Sequence, residues 1–290
     1  MTRTPTRNPW VRRFKPLSDS RARLVCFPHA GGSASYFLRL ARRLVPAVET
    51  LSVQYPGRQE RRREPFCTSI SELADGIFEA LLPQLVEPYA FFGHSMGSIL
   101  AFEVARRFER SAGSAPVRIF ASARPAPSTR GRGDVHLLDD ATLLGEMKRL
   151  GGTDPRVLED GDLLSVILPV VRADYQAIGT YACPAGASVR CPVTAMIGDS
   201  DPVATADEAL VWREHTTGGF DLAAYPGGHF YIDENIDRVA GDITAVLAGA
   251  GEDGSGAGDA SASPVTGGHR TVEAGAGGVR PASSECRHLG

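Results

Sequence analysis

Lysine is almost missing from this chain: Lys15 and Lys148 are the only two among 290 residues, so arginine supplies nearly all of the positive charge. There is no basic excess either. The formal net charge is −3 at pH 7, which argues against a nucleic-acid partner, because such partners select a strongly basic face. No apolar run approaches the roughly 20 residues that a membrane helix needs. The first sixteen residues hold arginines and prolines but no hydrophobic signal core. A cytoplasmic protein without a membrane partner is expected. Five cysteines, Cys26, Cys67, Cys183, Cys191 and Cys286, are odd in number and lack metal-ligand spacing. Neither a metal nor a bound cofactor is expected.

What the chain does have is enough apolar content, 42%, for one packed core. Short apolar runs at Leu24–Phe27, Pro88–Phe92, Arg118–Ser122, Val193–Ile197 and Phe220–Tyr225 read as buried strands. Helical spacing separates them, as in Ile70, Leu73, Ile77 and Leu81, where Ser69 and Glu72 match a capping box. Strands alternating with helices predict an α/β fold with a mostly parallel central sheet flanked by helices. From Pro125 to about Tyr181 the alternation stops. Helical patterns at Asp139–Leu150 and Asp162–Thr180 predict a lid over the C-terminal edge of the sheet, in which Leu143, Leu144, Met147, Leu150, Leu163, Leu164, Ile167 and Val171 either line an acyl channel or pack the lid.

The chemistry starts at Gly93-His94-Ser95-Met96-Gly97. A serine between two glycines, after an apolar strand and before a helix, reads as a nucleophile elbow in which Ser95 stands exposed at the sheet edge near a helix N-terminus. A serine hydroxyl needs a base, and the base needs an orienting acid. Of seven histidines, His136, His215 and His229 remain as candidate bases once strand-adjacent and tail residues are set aside. His229 is preferred, in a glycine-containing loop after the last strand. After the strand at Val193–Ile197 two aspartates compete, Asp199, which is placed to cap the turn, and Asp201, which precedes Pro202 and is preferred. The order Ser95, Asp201, His229 is that of the α/β-hydrolases. Backbone N–H groups of Met96 and of Ala30, in the loop Pro28-His29-Ala30-Gly31-Gly32-Ser33, are the expected oxyanion donors. His29 and Phe230 are expected in the substrate pocket.

Together Phe27–Ser33, Tyr55-Pro56-Gly57-Arg58, Gly93–Gly97, Gly198–Pro202 and Gly227–Phe230 resemble the type II thioesterases of polyketide and nonribosomal peptide biosynthesis, from about Trp10 to about Leu247. The resemblance implies an α/β-hydrolase that removes stalled or incorrect acyl groups from the phosphopantetheine arm of acyl or peptidyl carrier proteins. It assigns Ser95 as nucleophile, His229 as base and Asp201 as orienting acid. Carrier proteins are typically acidic, so the arginines of Gly57–Glu64, with Arg39, Arg42 and Arg43, are read as a docking face or simply a solvated one. A general esterase on the same fold and a non-catalytic synthase-binding scaffold are the alternatives. Residues 1–20 read as an N-terminal extension, 21–248 as the hydrolase domain with its lid at about 126–183, and 249–290 as a disordered Gly/Ala/Ser-rich tail.

Overall fold

Period-two burial governs the sheet. In the second strand Leu24 and Cys26 turn to one face while Val25 and Phe27 turn to the other, and all four are buried. A strand buried on both faces must be covered twice. The computed structural model describes residues 8–17, 20, 22–129, 133–152 and 155–252. Its strands and helices are, in chain order, β1 (Val11–Arg13), β2 (Ala22–Phe27), α1 (Leu38–Leu44), β3 (Val48–Val53), α2 (Ile70–Leu81), β4 (Tyr89–His94), α3 (Met96–Arg107), β5 (Ile119–Ser122), α4 (Asp140–Leu150), α5 (Pro155–Glu159), α6 (Gly161–Gly179), β6 (Val193–Gly198), α7 (Ala206–Leu210), β7 (Phe220–Tyr225) and α8 (Ile236–Glu252).

The strands form one sheet in the order β1-β3-β2-β4-β5-β6-β7, parallel except for the antiparallel edge pair β1–β3. One face packs on α2 and α3 through Leu73, Ile77, Ile99 and Phe102. The other packs on α1 and α8 through Leu40, Leu44, Val239 and Ile243. A third cluster, Val135, Leu143, Met147, Leu158, Leu168 and Val171, belongs to the helices between β5 and β6.

Several expectations are corrected. Residues 1–20 are not merely an extension, because β1 lies within them and pairs with β3. Its three residues, Val-Arg-Arg, have too little alternation to announce a strand. β3 is also absent from the sequence reading, since Glu49 interrupts it; that carboxylate is buried and held by Arg13 at 3.3 Å and Arg23 at 3.0 Å. Ser69 does precede α2, but its side chain makes no cap bond, and Glu72 is engaged with the Cys67 thiol rather than with the cap. α8 continues through residues 249–252, past the boundary expected for the tail. The rest of that tail, including Cys286, lies outside the described residues. A short helix, α5, joins the two that the lid pattern predicts.

Candidate active site

β4, the central strand of the seven, delivers Ser95 to the C-terminal edge of the sheet. Ser95 has φ 54° and ψ −118°, a conformation that costs a non-glycine residue about 1–3 kcal/mol. The surrounding structure enforces it. A Cβ on Gly97 would lie 1.9 Å from the Phe27 carbonyl oxygen, and one on Gly93 would lie 2.2 Å from the Gly97 carbonyl oxygen. The Ser95 N–H donates to the Ser122 carbonyl at 2.8 Å, and the buried Ser98 hydroxyl donates to the Gly93 and Ser122 carbonyls, both at 2.9 Å. α3 begins at Met96, so the serine sits at a helix N-terminus.

Asp201 and His229 are brought together from the loops after β6 and β7. The His229 Nδ1–H donates to Asp201 Oδ2 at 2.9 Å and Oδ1 at 3.1 Å, and both side chains are buried. Asp201 also accepts from the Val203 N–H at 2.8 Å, which fixes the carboxylate. This leaves Nε2 of His229 as the ring's second nitrogen, available as a base. Asp199 does something else. It is exposed and accepts from the Gly227 N–H at 3.0 Å and the Ser200 hydroxyl at 2.9 Å, so it shapes the turn.

Ser95 and His229 share a cavity of about 350 Å³ with His29, Ala30, Met96 and Phe230. All seven residues expected at the site are thus near one another except that Asp201 stands behind His229, out of the cavity wall. The lid supplies the apolar wall: Met147, Leu150, Ile167 and Val171 line the cavity, whereas Leu143 is buried within the lid and Leu163 is exposed. The other two candidate bases lie elsewhere. His215 is held by the Ser128 hydroxyl at 2.7 Å and the Ala187 carbonyl at 2.8 Å, and His136 lies outside the cavity wall.

His29 packs edge-on against Tyr36 and Phe230, with ring centroids 4.7 and 4.8 Å away, and its Nδ1 is buried without a partner. Burial, with smaller contributions from the charges of His229 and Arg58, pushes its pKa down to about 3. Burial likewise pushes His94 well below the ordinary value of 6.5. Both rings are therefore neutral when folded and regain an ordinary pKa when unfolded. The unfolded chain then binds more protons as pH falls through 6.5, so their contribution to stability is complete above that pH and lost below it. The slope of Tm against pH, between about pH 7 and about pH 5, is expected to be shallower in His94→Gln than in the parent; equal slopes would contradict this account.

Sequence reasoning missed Arg58, Asp174, Arg124 and Tyr175 near the cavity. Arg124 and Tyr175 line it, while Arg58 and Asp174 are buried against each other. The arginine face also needs correction: Arg58 and Arg61 are interior, Arg61 donating to the Gln54 carbonyl at 2.8 Å and lying over the Trp10 ring. A cluster of charged letters does not show which of them point inward.

A strained serine that shares a cavity with a carboxylate-held imidazole, on a mostly parallel sheet with a helical lid, defines a class, the serine hydrolases of the α/β-hydrolase fold. A family model described as Thioesterase domain matches residues 22–247, and the chain belongs to that family, as a thioester hydrolase of the serine type. It is similar to Thioesterase PikA5 of Streptomyces venezuelae, with 50% identity over 236 residues that span 81% of this chain and 84% of that one. Similarity to the gramicidin S biosynthesis protein GrsT of Aneurinibacillus migulanus is 35% over 83% of this chain and 96% of that one. Among solved structures, the type II thioesterase BorB from the borrelidin biosynthetic cluster superimposes with a TM-score of 0.77 at 46% identity, covering 82% of this chain and 97% of the other. Among the described residues no helix is long and apolar enough to cross a membrane, and no group of three or more His, Cys, Asp or Glu is arranged to hold a metal ion.

Proposed function

We propose that this protein is an editing thioesterase that hydrolyses aberrant or stalled acyl groups from the phosphopantetheine arm of acyl or peptidyl carrier proteins in polyketide or nonribosomal peptide biosynthesis. The observation that carries the reading is the convergence of the strained Ser95 and the Asp201-held His229 on one cavity roofed by apolar lid helices. The similar type II thioesterases whose solved structures come from NRPS/PKS pathways, together with the gramicidin S biosynthesis protein GrsT, support the choice of substrate.

His229 takes the Ser95 proton as the oxygen attacks the thioester carbon, and the oxyanion is received by the Ala30 and Met96 N–H groups. The pantetheine thiol leaves, with the proton returned by His229. Water activated by the same imidazole then hydrolyses the acyl-serine. Each oxyanion donor contributes about 3–4 kcal/mol to the barrier reduction. This sequence requires no metal or redox cofactor, and a cytoplasmic location alongside the synthases is part of the reading.

A thioester and its matched oxygen ester test the substrate class. With the same acyl group, the carrier-bound thioester is expected to show a kcat/KM at least about tenfold above that of a simple alkyl oxoester, because the pantetheine arm adds binding energy remote from the reacting carbon. Comparable values on the two substrates would favour a general esterase, and a parent protein whose serine resists a fluorophosphonate would favour the scaffold.

A further inference from the structure

The loop that carries Ala30 is gripped from outside by the segment that follows β3. Tyr55 donates its hydroxyl to the Pro28 carbonyl at 2.9 Å, and Gln54 accepts from the Ala34 N–H at 2.8 Å while donating to the Arg58 carbonyl at 3.2 Å. Arg58 reaches furthest. Its Nε–H donates to the Gly32 carbonyl at 2.9 Å, one Nη donates to the Pro56 carbonyl at 2.7 Å, and the other pairs with Asp174 Oδ2. Asp174 lies on α6, and the same carboxylate oxygen accepts from the Gly31 N–H at 2.7 Å.

Three groups from three places in the chain therefore meet at Asp174: a lid helix, the loop after β3, and the peptide next to Ala30. The lid helix is close enough that a Cβ on Gly31, where φ is +76°, would lie 2.7 Å from Val171 Cγ2. Val171 and Asp174 are three residues apart and so share one face of α6. Both members of the pair are buried, Arg58 at 8% side-chain exposure and Asp174 at 3%. A well-packed apolar contact stabilises as well as a buried ion pair does, so what distinguishes the pair is direction: it fixes where each hydrogen-bonded neighbour must stand.

We propose that Arg58 and Asp174 are positioning residues for the acyl-transfer reaction, holding the Pro28–Ser33 loop in the shape that presents the Ala30 N–H to the oxyanion and making that shape depend on α6 lying over the cavity. The inference rests on the acyl-transfer reading of Ser95. With α6 displaced, the Gly31 N–H loses its acceptor and Arg58 its counter-charge, so the oxyanion pocket is complete only under a seated lid. Binding of an acyl chain against Val171, Tyr175 and Ile178 of the same helix then favours the competent state of the loop.

The full chain is compared with Asp174→Ala, Asp174→Asn, Arg58→Met and the Arg58→Met/Asp174→Ala double variant. Turnover of an acyl-N-acetylcysteamine thioester and the rate of Ser95 modification by a fluorophosphonate are measured on each, with Tm as the check on folding. Asp174→Ala is expected to lower kcat by about 10- to 100-fold with KM within about threefold of the parent, and labelling to slow in parallel. Asp174→Asn keeps an oxygen acceptor for Gly31 and is expected to lose less than Asp174→Ala. The double variant is expected to be no slower than Asp174→Ala alone. A folded Asp174→Ala protein with kcat within about twofold of the parent, a loss confined to KM, or additive losses in the double variant would each overturn the proposal. If Asp174→Ala does not fold, Arg58→Lys, which keeps the charge but loses the fork to Gly32 and Pro56, carries the same expectation and the same overturning results. A parent that labels at Ser95 but turns over no thioester overturns the substrate reading alone, since labelling rates still report the pair. A parent that does neither overturns both.

Discussion

Replacing Ser95 by alanine is expected to lower thioester hydrolysis by about four to six orders of magnitude, leaving the fold intact. The size follows from the role: without the hydroxyl there is no acyl-enzyme, and His229 and the oxyanion donors have no covalent intermediate to serve. The variant's stability should be little changed. Alanine is no better suited than serine to φ 54°, but no hydrogen bond from the Ser95 hydroxyl is present among the described residues, so none is lost. Single-turnover hydrolysis of an acyl-carrier thioester, with fluorophosphonate labelling as control, is the measurement. Residual activity within about tenfold of the parent would remove Ser95 from the mechanism.

Asp201→Asn is the second large effect, a loss in kcat of about four decades, against a change within a few-fold for Asp199→Asn. The carboxylate of Asp201 holds the Nδ1–H of His229 and so keeps Nε2 free to accept the serine proton; an asparagine in its place can turn an N–H toward the ring and select the opposite tautomer. At Asp199 an asparagine still accepts from the Gly227 N–H through its amide oxygen, and the turn keeps its shape. Both aspartates follow the same strand within three positions, which makes the pair a sharp comparison. The reverse pattern, with Asp199→Asn crippling and Asp201→Asn mild, would reassign the orienting acid.

Much of the scaffold was legible because its signals are local. β4 announces itself by Tyr89, Phe91 and Phe92 before Gly93, and β6 by the run Val193–Ile197, apolar except for Thr194 and ended by Gly198 and Asp199. The elbow was readable because its glycine-serine-glycine spacing falls within five residues; Gly93 answers to a steric demand inside that stretch, whereas the group that Gly97 makes room for, the Phe27 carbonyl, comes from β2. β1 and β3 were not, because a three-residue edge strand and a strand holding a buried glutamate have no periodicity of their own. Their stability comes from partners distant in sequence: Arg13 and Arg23 neutralise Glu49 only after the sheet has assembled.

The arginines give the sharpest contrast. Arg58, Arg61, Arg62 and Arg63 fall within six residues and carry the same charge, yet the first two are buried and the last two exposed. Their shared charge does not separate them: Arg58 is met by Asp174 on α6, and Arg61 is covered by Trp10 and held by Gln54 and, from within the segment, by Glu64. The lid leucines behave likewise: helical spacing placed them on α4 and α6, but only packing sorted Leu143 into the lid interior, Leu150 onto the cavity wall and Leu163 into solvent.

By itself the sequence determined the kind of sheet, the elbow at Ser95 and the chain order of serine, acid and histidine, since each is written in short-range patterns of apolarity, glycine and proline. Only the tertiary structure decided that Asp201 rather than Asp199 meets His229, that the cavity is closed by α4 and α6, and that Arg58 belongs to the interior with Asp174. Those outcomes depend on distances between segments far apart in the chain, which are set when both faces of the sheet and the lid are buried together, and no local pattern encodes them.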